Sequence, residues 1–96
     1  IVYVGMLSPQ HYDVSKFMLQ NGKHVLCEKP LTMNSKLTSD LINLANEKGL
    51  FLMEGIWSRC FPLYQRIKDE IQLGIIGDVK QVIVTLGLKK PDPRGL

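Results

Sequence analysis

Three short apolar runs alternate with stretches of helical periodicity, and few folds can satisfy that alternation. The runs are Ile1-Val2-Tyr3-Val4, His24-Val25-Leu26-Cys27-Glu28 and Leu50-Phe51-Leu52-Met53-Glu54. Each has the length and composition of a strand buried on both faces of a parallel sheet. After the first run, Ser8 is expected to cap a helix, with Pro9 at its first position. Val14, Phe17 and Met18 form the apolar face of that helix, and Asn21-Gly22 ends it. The second helix is expected over about 36–48, capped by Asn34 or Ser35. Leu37, Leu41, Leu44 and Ala45 recur on one side of it, and Gly49 closes it. A third helix is expected near 62–73, with Phe61, Tyr64, Ile67 and Ile71 on one side and Gly74 at its end. A less uniformly buried strand is expected over 79–88, where Val82, Val84 and Leu86 alternate with Gln81, Ile83 and Thr85.

Strand–helix alternation implies parallel pairing with right-handed crossovers. The expected class is α/β: the second half of a Rossmann-type parallel sheet, plus the first helix and strand of a following α/β domain. The rhythm changes at Gly55-Ile56-Trp57-Ser58-Arg59, so the boundary is expected there. Residues 1–56 then form the C-terminal half of the dinucleotide-binding domain. Residues 57–96 form a linker helix and the start of a substrate or dimerisation domain. Both ends lie mid-pattern, and an internal piece of a longer chain is expected.

With 45% hydrophobic residues, the 96-residue chain can build a packed core. The net charge of +3 is mild and its lysines and arginines are dispersed, so no nucleic-acid stripe is expected. No apolar stretch reaches the roughly 18 residues of a membrane span, and no membrane partner is expected. Cys27 sits within an apolar run and Cys60 far from it, which suits buried or reduced thiols in a reducing compartment. Neither the cysteines nor the histidines have metal-ligand spacing, so no metal is expected.

The chemistry-bearing feature is Glu28-Lys29-Pro30. A strand delivers an ammonium to its carboxyl end and a proline stops it there, at the edge where open α/β sheets bind ligands. Taken alone, Lys29 reads more simply as a surface lysine at the start of a loop. Adjacent strand residues point to opposite faces, so Glu28 is expected to orient the loop rather than to pair with Lys29. Ser8, Pro9 and His11 follow the first strand at the same edge. His11 either reaches a ribose or substrate hydroxyl, or is an exposed residue of the first helical turn. Trp57 and Arg59 follow the third strand. The indole offers an apolar wall with a polar N–H, or core packing; Arg59 offers a ligand contact, or a tie from the linker to Glu54.

With these residues placed, the chain resembles the Gfo/Idh/MocA oxidoreductases. The match runs from Val2-Tyr3-Val4-Gly5 and Ser8-Pro9-Gln10-His11 through Gly22-Lys23-His24-Val25-Leu26-Cys27-Glu28-Lys29-Pro30. It continues through Leu52-Met53-Glu54-Gly55-Ile56-Trp57-Ser58-Arg59 to Leu73-Gly74-Ile75-Ile76-Gly77-Asp78-Val79. The Met-Glu-x-x-Trp-x-Arg stretch is most like the dihydrodiol dehydrogenase branch, which also oxidises D-xylose with NADP. Ser8 stands where that branch commonly has histidine, and Cys60 where it commonly has an aromatic.

The resemblance implies a cytoplasmic NAD(P)-dependent dehydrogenase that oxidises a cyclic trans-dihydrodiol or an aldose such as D-xylose. Its implied partner is a small-molecule substrate, and it implies a homodimer when intact. Lys29 is implied as the catalytic group. Ser8, Pro9, His11, Glu28, Lys29 and Pro30 are implied to lie at the cofactor, and Trp57 and Arg59 at the substrate. The resemblance also implies a frequently cis Lys29–Pro30 bond. NADP is inferred from the branch alone, with NAD open, because no G-x-G-x-x-G is present. The 96 residues alone are expected to be inactive. The alternative reading is a non-catalytic cofactor-binding sensor or partner-binding protein on the same scaffold.

Overall fold

A computed structural model describes residues 1–87. They fall into two compact units, the first Ile1–Phe61 and the second beginning at Pro62. The turn Trp57–Cys60 thus sits with the first unit, whose end lies five residues beyond the break expected between 56 and 57.

The first unit holds a three-stranded parallel sheet, β1 (Val2–Val4), β2 (Val25–Glu28) and β3 (Leu52–Gly55), in the order β1-β2-β3. Val4 lies opposite Cys27, Cys27 opposite Glu54, and Glu28 opposite Gly55. All three carboxyl ends therefore meet at one rim. Helices α1 (His11–Gln20) and α2 (Ser35–Glu47) link the strands. The core is Val4, Val25 and Cys27 from the sheet, Leu19, Leu41 and Ala45 from the helices, and Leu31 from the loop after β2.

That core uses only one face of the sheet. Tyr3 and Met53, of opposite parity, are 62% and 43% exposed, so the expectation of strands buried on both faces is corrected. Within this unit a single helix layer is present, and alternation leaves every second side chain without cover.

Local rules explain the helix ends. Asn34 is the cap of α2, and its Oδ1 accepts the Leu37 N–H at 3.0 Å. Gly22 and Gly49, at φ 72° and 62°, turn the chain out of α1 and α2 through the left-handed region that glycine adopts without strain. The start of α1 departs from expectation. Ser8–Gln10 forms a 3-10 turn, and the extended Leu7 accepts the Gln10 N–H at 2.8 Å, so Leu7 and not Ser8 holds the cap position. The buried line of α1 is His11, Ser15 and Leu19, flanked by Val14 and Met18. Phe17, expected inside, is 58% exposed, because it sits about 160° around the helix from Ser15.

In the second unit α3 spans Pro62–Gln72, and Tyr64, Ile67 and Ile71 remain exposed. Residues 79–87 form no strand, contrary to expectation. Alternation alone is insufficient, because a strand needs a neighbour for its N–H and C=O groups, and none among the described residues pairs with this run. Leu88, the last residue of that expected strand, lies outside the described residues.

Candidate functional site at the carboxyl rim of the sheet

Lys29 follows β2 directly and is exposed at the rim. It lines a cleft of about 350 Å³ together with Pro30, Glu54, Ile56, Trp57 and Ser58. Among the described residues no carboxylate or hydrogen-bond acceptor holds its ammonium. The charge is therefore available to a ligand oxygen. The Lys29–Pro30 peptide bond is cis.

The backbone around Lys29 is tied from several directions. The Lys29 N–H donates to Glu28 Oε2 at 3.2 Å, while Glu28 Oε1 accepts the Tyr3 hydroxyl at 2.9 Å. That bond to a carboxylate raises the Tyr3 phenol above its ordinary 10.0. Glu28 thus spans β1 and the loop start and makes no pair with the Lys29 ammonium. The Leu31 N–H donates to Glu54 Oε1 at 2.8 Å. The Thr32 hydroxyl is buried, bonding to Asn34 O and Thr38 Oγ1, each at 2.7 Å.

His11 is not an exposed helix residue, and that expectation is corrected. It is 1% exposed. Its Nδ1 lies 2.7 Å from the Pro30 carbonyl and its Nε2 2.9 Å from the Met6 carbonyl. A neutral ring donates to one of these oxygens and the doubly protonated ring to both. Both nitrogens are engaged by backbone carbonyls. The imidazole clasps the loop after β1 to the loop after β2.

Of the other expected residues, Trp57 lines the cleft with Lys29. Ser8 and Pro9 occupy the 3-10 turn after β1, with Ser8 half-buried and Pro9 exposed. Trp57 and Arg59 lie in the 3-10 turn Trp57–Cys60. The indole is 61% exposed and meets Phe61 edge to face, centroids 5.1 Å apart. Trp57 also borders an apolar pocket of about 260 Å³ on the sheet's uncovered face, beside Tyr3, Leu26 and Met53.

Glu54 is the rim residue that sequence reasoning undervalued. Its signal was its parity: it shares a face with Leu52, which packs against the core, and a carboxylate on the apolar side of a strand calls for a partner. Among the described residues no group of three histidine, cysteine or acidic side chains is arranged to hold a metal, and no helix is long and apolar enough to cross a membrane.

Known proteins share this arrangement. Residues 1–56 match the Gfo/Idh/MocA family model, described as an oxidoreductase family with an NAD-binding Rossmann fold. The trans-1,2-dihydrobenzene-1,2-diol dehydrogenase of Xenopus laevis is 48% identical over 87 residues, covering 91% of this chain and 26% of its own length. The D-xylose 1-dehydrogenase (NADP(+)) of Hypocrea jecorina is 38% identical over 95 residues, 99% of this chain and 24% of its own. Among solved structures, a 3-ketoreductase from Actinomadura kijaniata, in complex with TDP-benzene and NADP, superposes with a TM-score of 0.72 at 35% identity. That superposition covers 82% of this chain and 24% of the ketoreductase. The chain spans about a quarter of the length of the curated relatives it matches. A parallel sheet with a lysine at its carboxyl rim, and the family match over that same sheet, lead to one conclusion: this chain belongs to the Gfo/Idh/MocA oxidoreductase family.

Proposed function

We propose that these residues form the catalytic rim of an NADP-dependent dehydrogenase that oxidises a secondary alcohol, of the cyclic trans-diol or aldose type. The observation that carries the reading is the unpaired ammonium of Lys29 in a cleft walled by Trp57. A cation held beside a substrate hydroxyl orients it and favours the alkoxide that develops as the carbon–hydrogen bond breaks. The exposed indole supplies an apolar wall for the face of a ring, with its N–H free to meet a hydroxyl. NADP, when bound, accepts the hydride. The fit of this rim to the cofactor is that of its nicotinamide end: an open cleft with a cation that no carboxylate among the described residues pairs. The pyrophosphate cradle is not among these residues. Similarity to the dihydrodiol and D-xylose dehydrogenases supports the substrate class.

The test replaces Lys29 with methionine in a full-length parent and measures NADPH formation from D-xylose and from a trans-dihydrodiol. Loss of one preorganised donor is expected to lower kcat/KM by roughly a hundred- to a thousandfold. Activity within about threefold of the parent removes Lys29 from the chemistry.

A further inference from the structure

Glu54 occupies a costly position. It lies in β3 opposite Cys27, which is fully buried, and shares the parity of the core-facing Leu52. A carboxylate there must be matched by a donor. Its Oε1 accepts the backbone N–H of Leu31, two residues beyond Lys29, at 2.8 Å. Leu31 is itself buried in the core, so this donor has little access to water. The turn between Lys29 and Leu31 is therefore held at three successive residues: the Lys29 N–H by Glu28, the Pro30 carbonyl by His11, and the Leu31 N–H by Glu54.

Glu54 differs from the other two holders. It alone comes from β3, the strand that runs on to Trp57 three residues later, and it alone of the three lines the cleft that contains Lys29 and Trp57. One hydrogen bond thus ties the segment carrying the cation to the segment carrying the indole.

We infer that Glu54 is a positioning residue: by accepting the Leu31 N–H it sets where the Lys29 ammonium stands relative to the Trp57 wall. The inference rests on the dehydrogenase reading for its consequence, and on geometry alone for the tie. The role needs an acceptor oxygen and no negative charge. A glutamine keeps the acceptor, and an alanine removes it.

The experiment has two arms. In a full-length parent, Glu54→Ala is expected to lower kcat by roughly ten- to a hundredfold, the scale of a 1 Å misplacement of a reacting group. Its KM for NADP is expected to change by less than about threefold, while Glu54→Gln recovers kcat to within about threefold of the parent. On a Lys29→Met background, Glu54→Ala is expected to cost less than about twofold more, since both changes act through one ammonium. In the 96-residue chain, amide hydrogen exchange at Leu31 is expected to accelerate by about tenfold or more in Glu54→Ala and to stay near the parent rate in Glu54→Gln.

An unchanged Leu31 exchange rate in the alanine variant overturns the tie. Equal loss of kcat in the glutamine and alanine variants, or full additivity with Lys29→Met, overturns the positioning role. Should Lys29→Met by itself leave activity intact, Lys29 leaves the chemistry and the consequence drawn for Glu54 falls with it, while Leu31 exchange still decides whether Glu54 holds the turn.

Discussion

Replacing His11 with phenylalanine isolates the clasp between the two rim loops. The ring volume is nearly kept, so the change removes hydrogen-bonding capacity more than it opens a cavity. Two contacts go, to Pro30 O at 2.7 Å and to Met6 O at 2.9 Å. A hydrogen bond contributes about 1 kcal/mol net, and a buried acceptor left without a donor costs about 1–3 kcal/mol. The low end of that range applies, because Met6 and Pro30 are exposed and water can approach their carbonyls from outside. The expected loss is about 2–3 kcal/mol, or roughly a 30- to 150-fold fall in the folded-to-unfolded ratio. For a small domain that is a large share of the total. Urea unfolding of the 96-residue chain, followed by circular dichroism, should show a lower midpoint with an unchanged slope. His11→Gln, which can still donate to one carbonyl, should fall between the two. A loss below about 0.5 kcal/mol, coupled with weakened NADP binding in a full-length parent, refutes the clasp and returns the ring to the ligand.

Two titrations probe other parts of the same unit. Burial raises the Cys27 thiol above its ordinary 9.0, the Glu28 and Glu54 carboxylates add to the rise, and the Ser15 hydroxyl offsets part of it. That hydroxyl lies close enough to act electrostatically but is outside hydrogen-bonding geometry. The unfolded thiol ionises first, so stability is full below the unfolded pKa and falls as pH rises towards the folded one, by at most about 1.4 kcal/mol per unit. Denaturation midpoints between about pH 8.5 and 10 should fall in the parent and flatten in Cys27→Ala; parallel slopes refute the assignment. On the surface, Asp40 accepts from the Tyr12 hydroxyl at 2.5 Å and from Lys16 at 2.9 Å, and these bonds hold its carboxyl below the ordinary 3.8, Tyr12 more than Lys16. Their contribution is present above that value and lost as pH falls through the depressed one. Carboxyl NMR should show the Asp40 midpoint moving towards 3.8 further in Tyr12→Phe than in Lys16→Met, and the reverse order refutes the ranking.

The alternation of strands and helices, the asparagine cap of α2, the glycine exits and the delivery of Lys29 to a strand end were all legible along the chain. Each of these is local. Side-chain period, capping chemistry and backbone conformation act within a few residues, and parallel pairing then brings every strand's carboxyl end to one rim. The family was legible for the same reason, since its motifs sit at those strand ends.

Which polar groups meet followed from the packing of distant segments. His11 and Pro30 are 19 residues apart, and Leu31 and Glu54 are 23 apart. Periodicity selected Val14, Phe17 and Met18 for the inner side of α1, but the two rim carbonyls drew a histidine inward and left Phe17 outside. The run at 79–87 carries strand-like alternation and forms none. A strand and a buried polar side chain share one requirement, a partner supplied from elsewhere in the fold.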